Sequence, residues 1–310
     1  MIRQSLLLGS LVVAFSVDAE PVRLLSLDWG SQQVITKALG RLLEQQGIEV
    51  EIVYASSQVQ WYKLAQGEAD VQVEVWQGSM GPKYDEMIAK GFIQQGTVHN
   101  VETREEWWYP DYVEALCPGL PNWEALKNCA HLFSYKDSER GVYYSGPWEK
   151  PDAAKIRALG LNYRVEVLED GDAINRKLRD YIAKQKPLLI YNWTPNWVEA
   201  KYPGSFVEFP RYDEACELDP SWGVNSKYTW DCGNPRGAWL KTAISNQLRT
   251  KSACAFDIVS SFTLSSQHIA TASLLIDNEN QTLDQAADNW LNQFQHQHSD
   301  WIEHSSCLTR

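Results

Sequence analysis

The hydrophobic positions of this chain fall into short blocks whose period keeps changing between two residues and about three and a half. Residues 22–27 are a brief apolar run that reads as a buried strand, closed by a turn at Asp28-Trp29-Gly30. Beyond it Val34, Ala38, Leu42 and Leu43 recur at helical spacing, so a helix is predicted from a cap at Ser31 to Gly47. Strands follow at 50–53 and 70–76, with a short helix over 58–67 between them. This β-α-β-α-β order predicts a mostly parallel sheet with helices on its faces. The theme returns later, with strands at 141–144, 164–168 and 188–191, helices at 152–159 and 172–184, and a helical tail from about residue 249. Two α/β units therefore share one chain, with no low-complexity tether and no repeat of solenoid length. A length of 310 residues fits the same count at about 150 per domain.

The first residues carry an address. Arg3, the apolar stretch 6–16 and the small-residue end Val17-Asp18-Ala19 together read as a cleavable secretory leader over 1–19, too short to cross a bilayer. In a Gram-negative host the expected location is the periplasm. Export also accounts for six cysteines, an even number bound for an oxidising space. Six cysteines allow 15 pairings, which the sequence alone does not resolve. Neighbouring pairs are the expectation: Cys117 with Cys129, Cys216 with Cys232, Cys254 with Cys307. Metal binding is the rival use, but there is no C-x-x-C and the six histidines form no ligand-spaced set with the cysteines. A formal charge of −12, from 28 basic and 40 acidic residues, argues against nucleic acid or anionic lipid as a partner.

One part of the composition needs a reason: fourteen tryptophans beside fourteen tyrosines. Ligands of open α/β sheets sit beyond the carboxyl ends of strands. Trp29 follows the first predicted strand, Trp76 ends the third, Trp148 lies past 141–144 and Trp193 follows 188–191. Each alone reads equally as a lid on the core. As a set they describe a cage of π faces, which suits a poorly hydrated cation such as a methylated ammonium. Stacked tryptophans also serve carbohydrate sites, in an enzyme or a binding protein. A glycosidase needs paired carboxylates, and no such pair stands at the strand ends. The sequence motifs of serine hydrolases, zinc peptidases, dinucleotide folds and phosphate loops are absent, so no catalysis and no cofactor are expected. Asp213, Glu214, Glu217, Asp219 and Asp231 are dense enough to raise a Ca²⁺ site, but their spacing fits no standard loop and a solvated acidic turn is the plainer reading.

The segment Tyr191-Asn192-Trp193-Thr194-Pro195-Asn196-Trp197-Val198 closely resembles the Y-x-W-T-P-x-W-V segment of glycine betaine-binding proteins of osmoprotectant ABC importers. Glu74-Val75-Trp76 looks like that family's first cage tryptophan, and Ser145-Gly146-Pro147-Trp148 is similar in place to its second. Asp219-Pro220-Ser221-Trp222-Gly223, Asp231-Cys232-Gly233 and the helical tail are similar to members that bind trimethylamine N-oxide and related solutes. The resemblance implies a two-lobed, hinged periplasmic-binding fold of the crossed-over type (type II), each lobe a mostly parallel sheet flanked by helices. One lobe would hold 20–105 and 210–310, the other 106–209. A monomer would close on a small methylated ammonium solute and deliver it to an ABC permease of the inner membrane, unless it serves as a sensor for a receptor. Trp76, Trp148 and Trp193 would form the cage, with Trp222 or Trp29 as a fourth wall. Some relatives place a histidine a few residues after the first cage tryptophan, whereas here Gln77-Gly78-Ser79-Met80 follows Trp76. Glu74 shares a strand face with Trp76, and Glu105 and Glu106 precede Trp107-Trp108 near the crossover. A carboxylate beside the cage suits a ligand with net positive charge or a protonated oxygen; the alternative is that these glutamates are solvated or paired. Glycine betaine, trimethylamine N-oxide, choline, carnitine and dimethylsulfoniopropionate are the solutes in view.

Overall fold

The computed structural model describes residues 20–135, 139–148, 150–303 and 305–309, so the expected leader lies outside the described residues. The chain opens with β1 (Val22–Ser26), β2 (Val50–Tyr54), β3 (Val71–Trp76) and β4 (Ile93–Val98). It continues through β5 (Thr103–Pro110), β6 (Pro118–Pro121), β7 (Gly141–Ser145), β8 (Tyr163–Val167), β9 (Ile190–Thr194) and β10 (Gly204–Phe206). The last strands are β11 (Arg236–Ala238) and β12 (Leu240–Ser245), before a helical tail. All but β6 build two sheets, ordered β2-β1-β3-β12-β4 and β10-β5-β9-β7-β8, with β11 paired to β5.

The sheets are mixed, which corrects the mostly parallel expectation. β1 runs parallel to β2 and β3, and β7 parallel to β8 and β9, as β-α-β crossovers dictate. β12 runs antiparallel to β3 and β4, and β5 antiparallel to β9, β10 and β11. The odd strands are the ones that arrive from the other sheet. A strand that enters from outside a β-α-β unit has no crossover helix to reverse it, so it runs against its neighbours.

The two passages between sheets lie side by side. The chain leaves the first sheet after β4 and enters the second at β5; it returns through β11 and Trp239 into β12. Arg104 faces Arg236 and Thr103 faces Ala238 across the paired crossing strands, and Thr103 Oγ1 donates to Ala238 O at 3.1 Å. The segment between β10 and β11 hydrogen-bonds to the second sheet's elements. Glu208 N–H donates to Pro121 O, Asn225 Nδ2 to Ala158 O, and Asn234 N–H to Glu106 Oε2.

Local differences from the predicted elements follow from tertiary contacts. The first helix spans Gly30–Gln45 with Trp29, not Ser31, at its N-cap; Ser31 lies one residue inside and its hydroxyl bonds elsewhere. β9 starts two residues later than the pattern placed it, so Trp193 is inside the strand. Leu188 and Leu189 are fully buried as its lead-in. Part of the tryptophan excess is ordinary core: Trp107, Trp108, Trp197 and Trp290 are almost completely enclosed, and Trp107 stacks on Tyr143 with ring centres 4.0 Å apart.

Cys117–Cys129, Cys216–Cys232 and Cys254–Cys307 are joined, the neighbouring pairs that were expected. Their loops differ in length, 53 residues for Cys254–Cys307 against 12 for Cys117–Cys129. Loop-closure entropy then gives an expected order of effects. Serine at both positions of the long-loop pair should cost about 4 kcal/mol, and at the short-loop pair about 3 kcal/mol, in urea unfolding of the exported protein.

Candidate functional site

Where the two sheets face each other, the carboxyl ends of β1 and β3 meet those of β7 and β9 across a narrow aromatic crevice. Its walls are Trp29, Trp76, Ser79, Met80, Glu105, Trp148, Tyr191 and Trp193. Trp29 and Trp148 stand in turns beyond strand ends, while Trp76, Tyr191, Trp193 and Glu105 are held on paired strand residues. From the first lobe come Trp29, one residue before the helix Gly30–Gln45, and Trp76, the last residue of β3. From the second come Trp148, past β7, and the alternating pair Tyr191 and Trp193 on one face of β9. Glu105 stands directly opposite Trp193 in the β5–β9 ladder, so it shares that face.

The indoles meet edge to face. Trp148 lies 6.1 Å from Trp29 at 90° and 5.6 Å from Trp193 at 80°, centre to centre. Tyr191 packs 5.4 Å from Trp148 and 5.7 Å from Trp193. Edge-to-face packing of this kind fixes the rings against one another around the crevice, and π faces that meet a methylated cation attract it. Gly146 makes the fold-back of Trp148 possible, because a Cβ there would collide with the indole.

Two carboxylates organise the first-lobe side. Glu74 is completely buried behind the cage, where one oxygen, Oε2, accepts from Trp29 Nε1 (2.8 Å), Ser31 Oγ (3.0 Å) and Trp76 Nε1 (3.1 Å). It therefore holds two walls by a single atom. Its other oxygen has no partner among the described residues. Burial pushes the carboxyl up to about 7 despite the three donors, and buried Asp277, itself pushed up to about 7 by burial, adds to the rise. Asp28 ties the lobes together: its Oδ1 accepts from Trp148 Nε1 at 2.9 Å and its backbone carbonyl from Gly171 N–H at 3.0 Å. Gln58 Nε2 donates to Pro147 O across the same crevice. Burial raises the Asp28 carboxyl above the usual range, opposed by the Trp148 N–H.

Glu105 is different, because it faces the cavity. Oε1 accepts from Tyr191 OH at 2.6 Å and from Lys150 Nζ at 3.1 Å. Oε2 is buried and unpartnered, and lies so close to Gly78 that a Cβ there would collide with it. Opposite stands the first turn of the helix Gln77–Ala89, which contributes Ser79 and Met80 to the wall and whose Gln77 N–H donates to Trp239 O at 3.2 Å.

Of the residues singled out in the sequence, Trp29, Trp76, Trp148, Trp193 and Glu105 line the cavity. Glu74 lies behind it. Trp222 is not among the lining residues; it sits partly exposed in the turn after Asp219, whose carbonyl accepts its N–H at 3.1 Å. Tyr191, Ser79 and Met80 were not anticipated as walls. Tyr191 was legible from its two-residue spacing to Trp193, whereas nothing in the sequence marks Ser79 and Met80. The acidic residues near 213–231 accept from their own turn: Asp213 from Ala215 N–H, Asp219 from Ser221, Glu217 from Tyr212 OH and Asp231 from Asn225 N–H. Among the described residues no three metal-ligating side chains converge.

Two sheets of this order, joined by paired crossing strands and closed over an aromatic crevice, define a substrate-binding protein of the periplasmic-binding class. The chain belongs to the family described as the substrate-binding domain of the ABC-type glycine betaine transport system, whose model matches residues 20–293. It is a non-enzymatic substrate-binding protein of an importer for quaternary amines and related onium solutes. A curated relative, the trimethylamine N-oxide-binding protein of Pelagibacter ubique (strain HTCC1062), is 30% identical over 282 residues, covering 88% of this chain and 87% of that protein. The fold matches lactococcal OpuAC, closed with glycine betaine, at TM-score 0.67 and 19% identity over 91% of this chain and 99% of that one. It also matches an ABC-transporter choline-binding protein in complex with choline at TM-score 0.72 and 14% identity, covering 93% of each chain.

Proposed function

We propose that this protein captures trimethylamine N-oxide, or an equally small dipolar methylated onium, between its lobes and delivers it to the membrane permease of its importer. The cavity carries this reading: four indoles and Tyr191 offer π faces to a methylated head, and the unpartnered Glu105 oxygen adds negative charge on the same side. The head's oxygen would turn to Ser79 and the N–H groups of the adjacent helix turn. A bulkier solute with its own carboxylate, such as glycine betaine, has to place that group in the same small space without meeting Glu105. The similarity to a trimethylamine N-oxide-binding protein supports the same choice.

All walls come from one chain, so a monomer is sufficient. The lobes close by hinge rotation at 99–102 and at residue 239, the segment 207–235 moving with the second lobe, in place of boundaries at 105/106 and 209/210. The leader-like first 19 residues and the three disulfides support a periplasmic site of action. Calorimetric titration of the purified mature protein tests the proposal. Trimethylamine N-oxide should bind with a dissociation constant in the micromolar range, about 8 kcal/mol, and more tightly than glycine betaine or choline. Absence of binding by every methylated onium solute would overturn it.

A further inference from the structure

Lys150 touches two walls of the cage without lining it. Its ammonium lies 3.1 Å from Glu105 Oε1 and 5.1 Å from the centre of the Tyr191 ring, and its side chain is 3% exposed. The other buried carboxylates nearby have donors of their own, Asp152 also lying in the field of Lys155 and Lys150. Lys155 pairs with Glu106 at 3.0 Å, Glu106 Oε2 takes the Asn234 N–H, and Asp152 accepts from Trp107 Nε1 and Ser145 Oγ. From the opposite lobe, Glu74 is occupied by three donors. Lys150 and Glu105 thus form a closed pair whose formal charges cancel at the cavity wall.

We infer that Lys150 sets the charge class of the ligand: by neutralising Glu105 it makes the cage prefer a net-neutral dipolar onium over a monocation of the same shape. This rests on the onium-cage reading and adds the residue that decides within it. An unpaired buried carboxylate would draw a full cation strongly, because charge interactions are weakly screened in a dry site. Paired with an ammonium, it exerts little net field at long range, while its free oxygen still contributes locally. The cage then does not gain from a second, uncompensated positive charge, which would meet Lys150 across a short buried distance. Lys150 is a positioning residue in this account, acting through Glu105.

Trimethylamine N-oxide and tetramethylammonium are nearly the same shape and differ in net charge, so their affinity ratio reads the effect directly. Calorimetry on wild type, Lys150→Met, Lys150→Arg and Glu105→Gln should give three results. Lys150→Met should shift the ratio about tenfold toward tetramethylammonium. Lys150→Arg should hold it within about twofold, and Glu105→Gln, which strands the lysine, should move it about tenfold the other way. Folding is checked on each variant by thermal melting, and Glu105→Gln carries the test if Lys150→Met does not fold. Ratios unchanged in both Lys150→Met and Glu105→Gln, with wild type still binding trimethylamine N-oxide, would overturn the role of Lys150 alone. Wild-type protein that binds neither probe would overturn the cage reading and this inference with it.

Discussion

Alanine at Trp148 should weaken solute binding about a hundredfold, the largest loss from any single wall. Trp148 lies between Trp29 of one lobe and Trp193 of the other, so its removal opens the cage on two sides. It also donates across the crevice to Asp28, an interlobe hydrogen bond that the closed form keeps and an open form would lose. A cation–π face is worth about 0.5–2 kcal/mol and a hydrogen bond to a charged group about 1.5–3 kcal/mol, so about 3 kcal/mol in all is a moderate sum. At 1.4 kcal/mol per tenfold this is about two orders of magnitude. Trp148→Phe should fall between, because a weaker face remains and the donor is gone. Asp28→Ala should cost only the latch, about 1.5–3 kcal/mol, or roughly ten- to a hundredfold. Calorimetry and melting temperature on the same variants separate this from a lid on the core. Unchanged affinity with a lower melting temperature would make Trp148 a packing residue.

Glu74→Gln should tilt the pH dependence of stability by about 3 kcal/mol. Glu74 ionises near 7 in the folded protein against 4.5 unfolded. Between those values the folded state keeps a proton that the unfolded chain has released, so stability from this group is complete below 4.5 and lost as pH rises through 7. The gap, from 4.5 to about 7, corresponds to about 3 kcal/mol. Gln can accept the same three donors, so the indoles keep their anchor while the proton linkage disappears. Wild-type unfolding free energy minus that of the variant should therefore fall by about 3 kcal/mol between pH 4.5 and 8, measured by urea unfolding. The wild-type profile by itself should be shallower. Asp277 acts with the same sign as Glu74, whereas His99 and His268, held down to about 4 by burial, gain stability as pH rises over an overlapping window. A difference that stays constant with pH would show that folding leaves the Glu74 carboxyl unshifted.

Much of the site was readable because it rests on local patterns. Strand ends are marked by the change from two-residue to helical period, and large aromatics placed there are visible without any fold. The two-residue offset of β9 did not matter to Trp193, since alternation puts Tyr191 and Trp193 on one face in either register. Where the reading failed, a distant partner had decided. Ser31 was a sensible cap from its neighbours, yet its hydroxyl turns to Glu74, 43 residues away. Trp222 stood in a segment of the right kind, but that segment is held in its own acidic turn and does not reach the crevice.

By itself the sequence determined the α/β class and the aromatic strand ends, because periodicity and residue chemistry are properties of local stretches; the cysteine pairing it left open among 15 arrangements, and the fold joined the neighbouring pairs. Only the tertiary structure decided which way β5 and β12 run, since strand direction depends on where the chain crosses between lobes. Only the tertiary structure, likewise, separated three glutamates that look alike in sequence. Glu74 is buried behind two indoles, Glu106 is closed by Lys155, and Glu105, a wall of the cavity, keeps one buried oxygen unpartnered beside Gly78. A carboxylate's role is set by which donors reach it and how much water is excluded, and both come from residues far away along the chain.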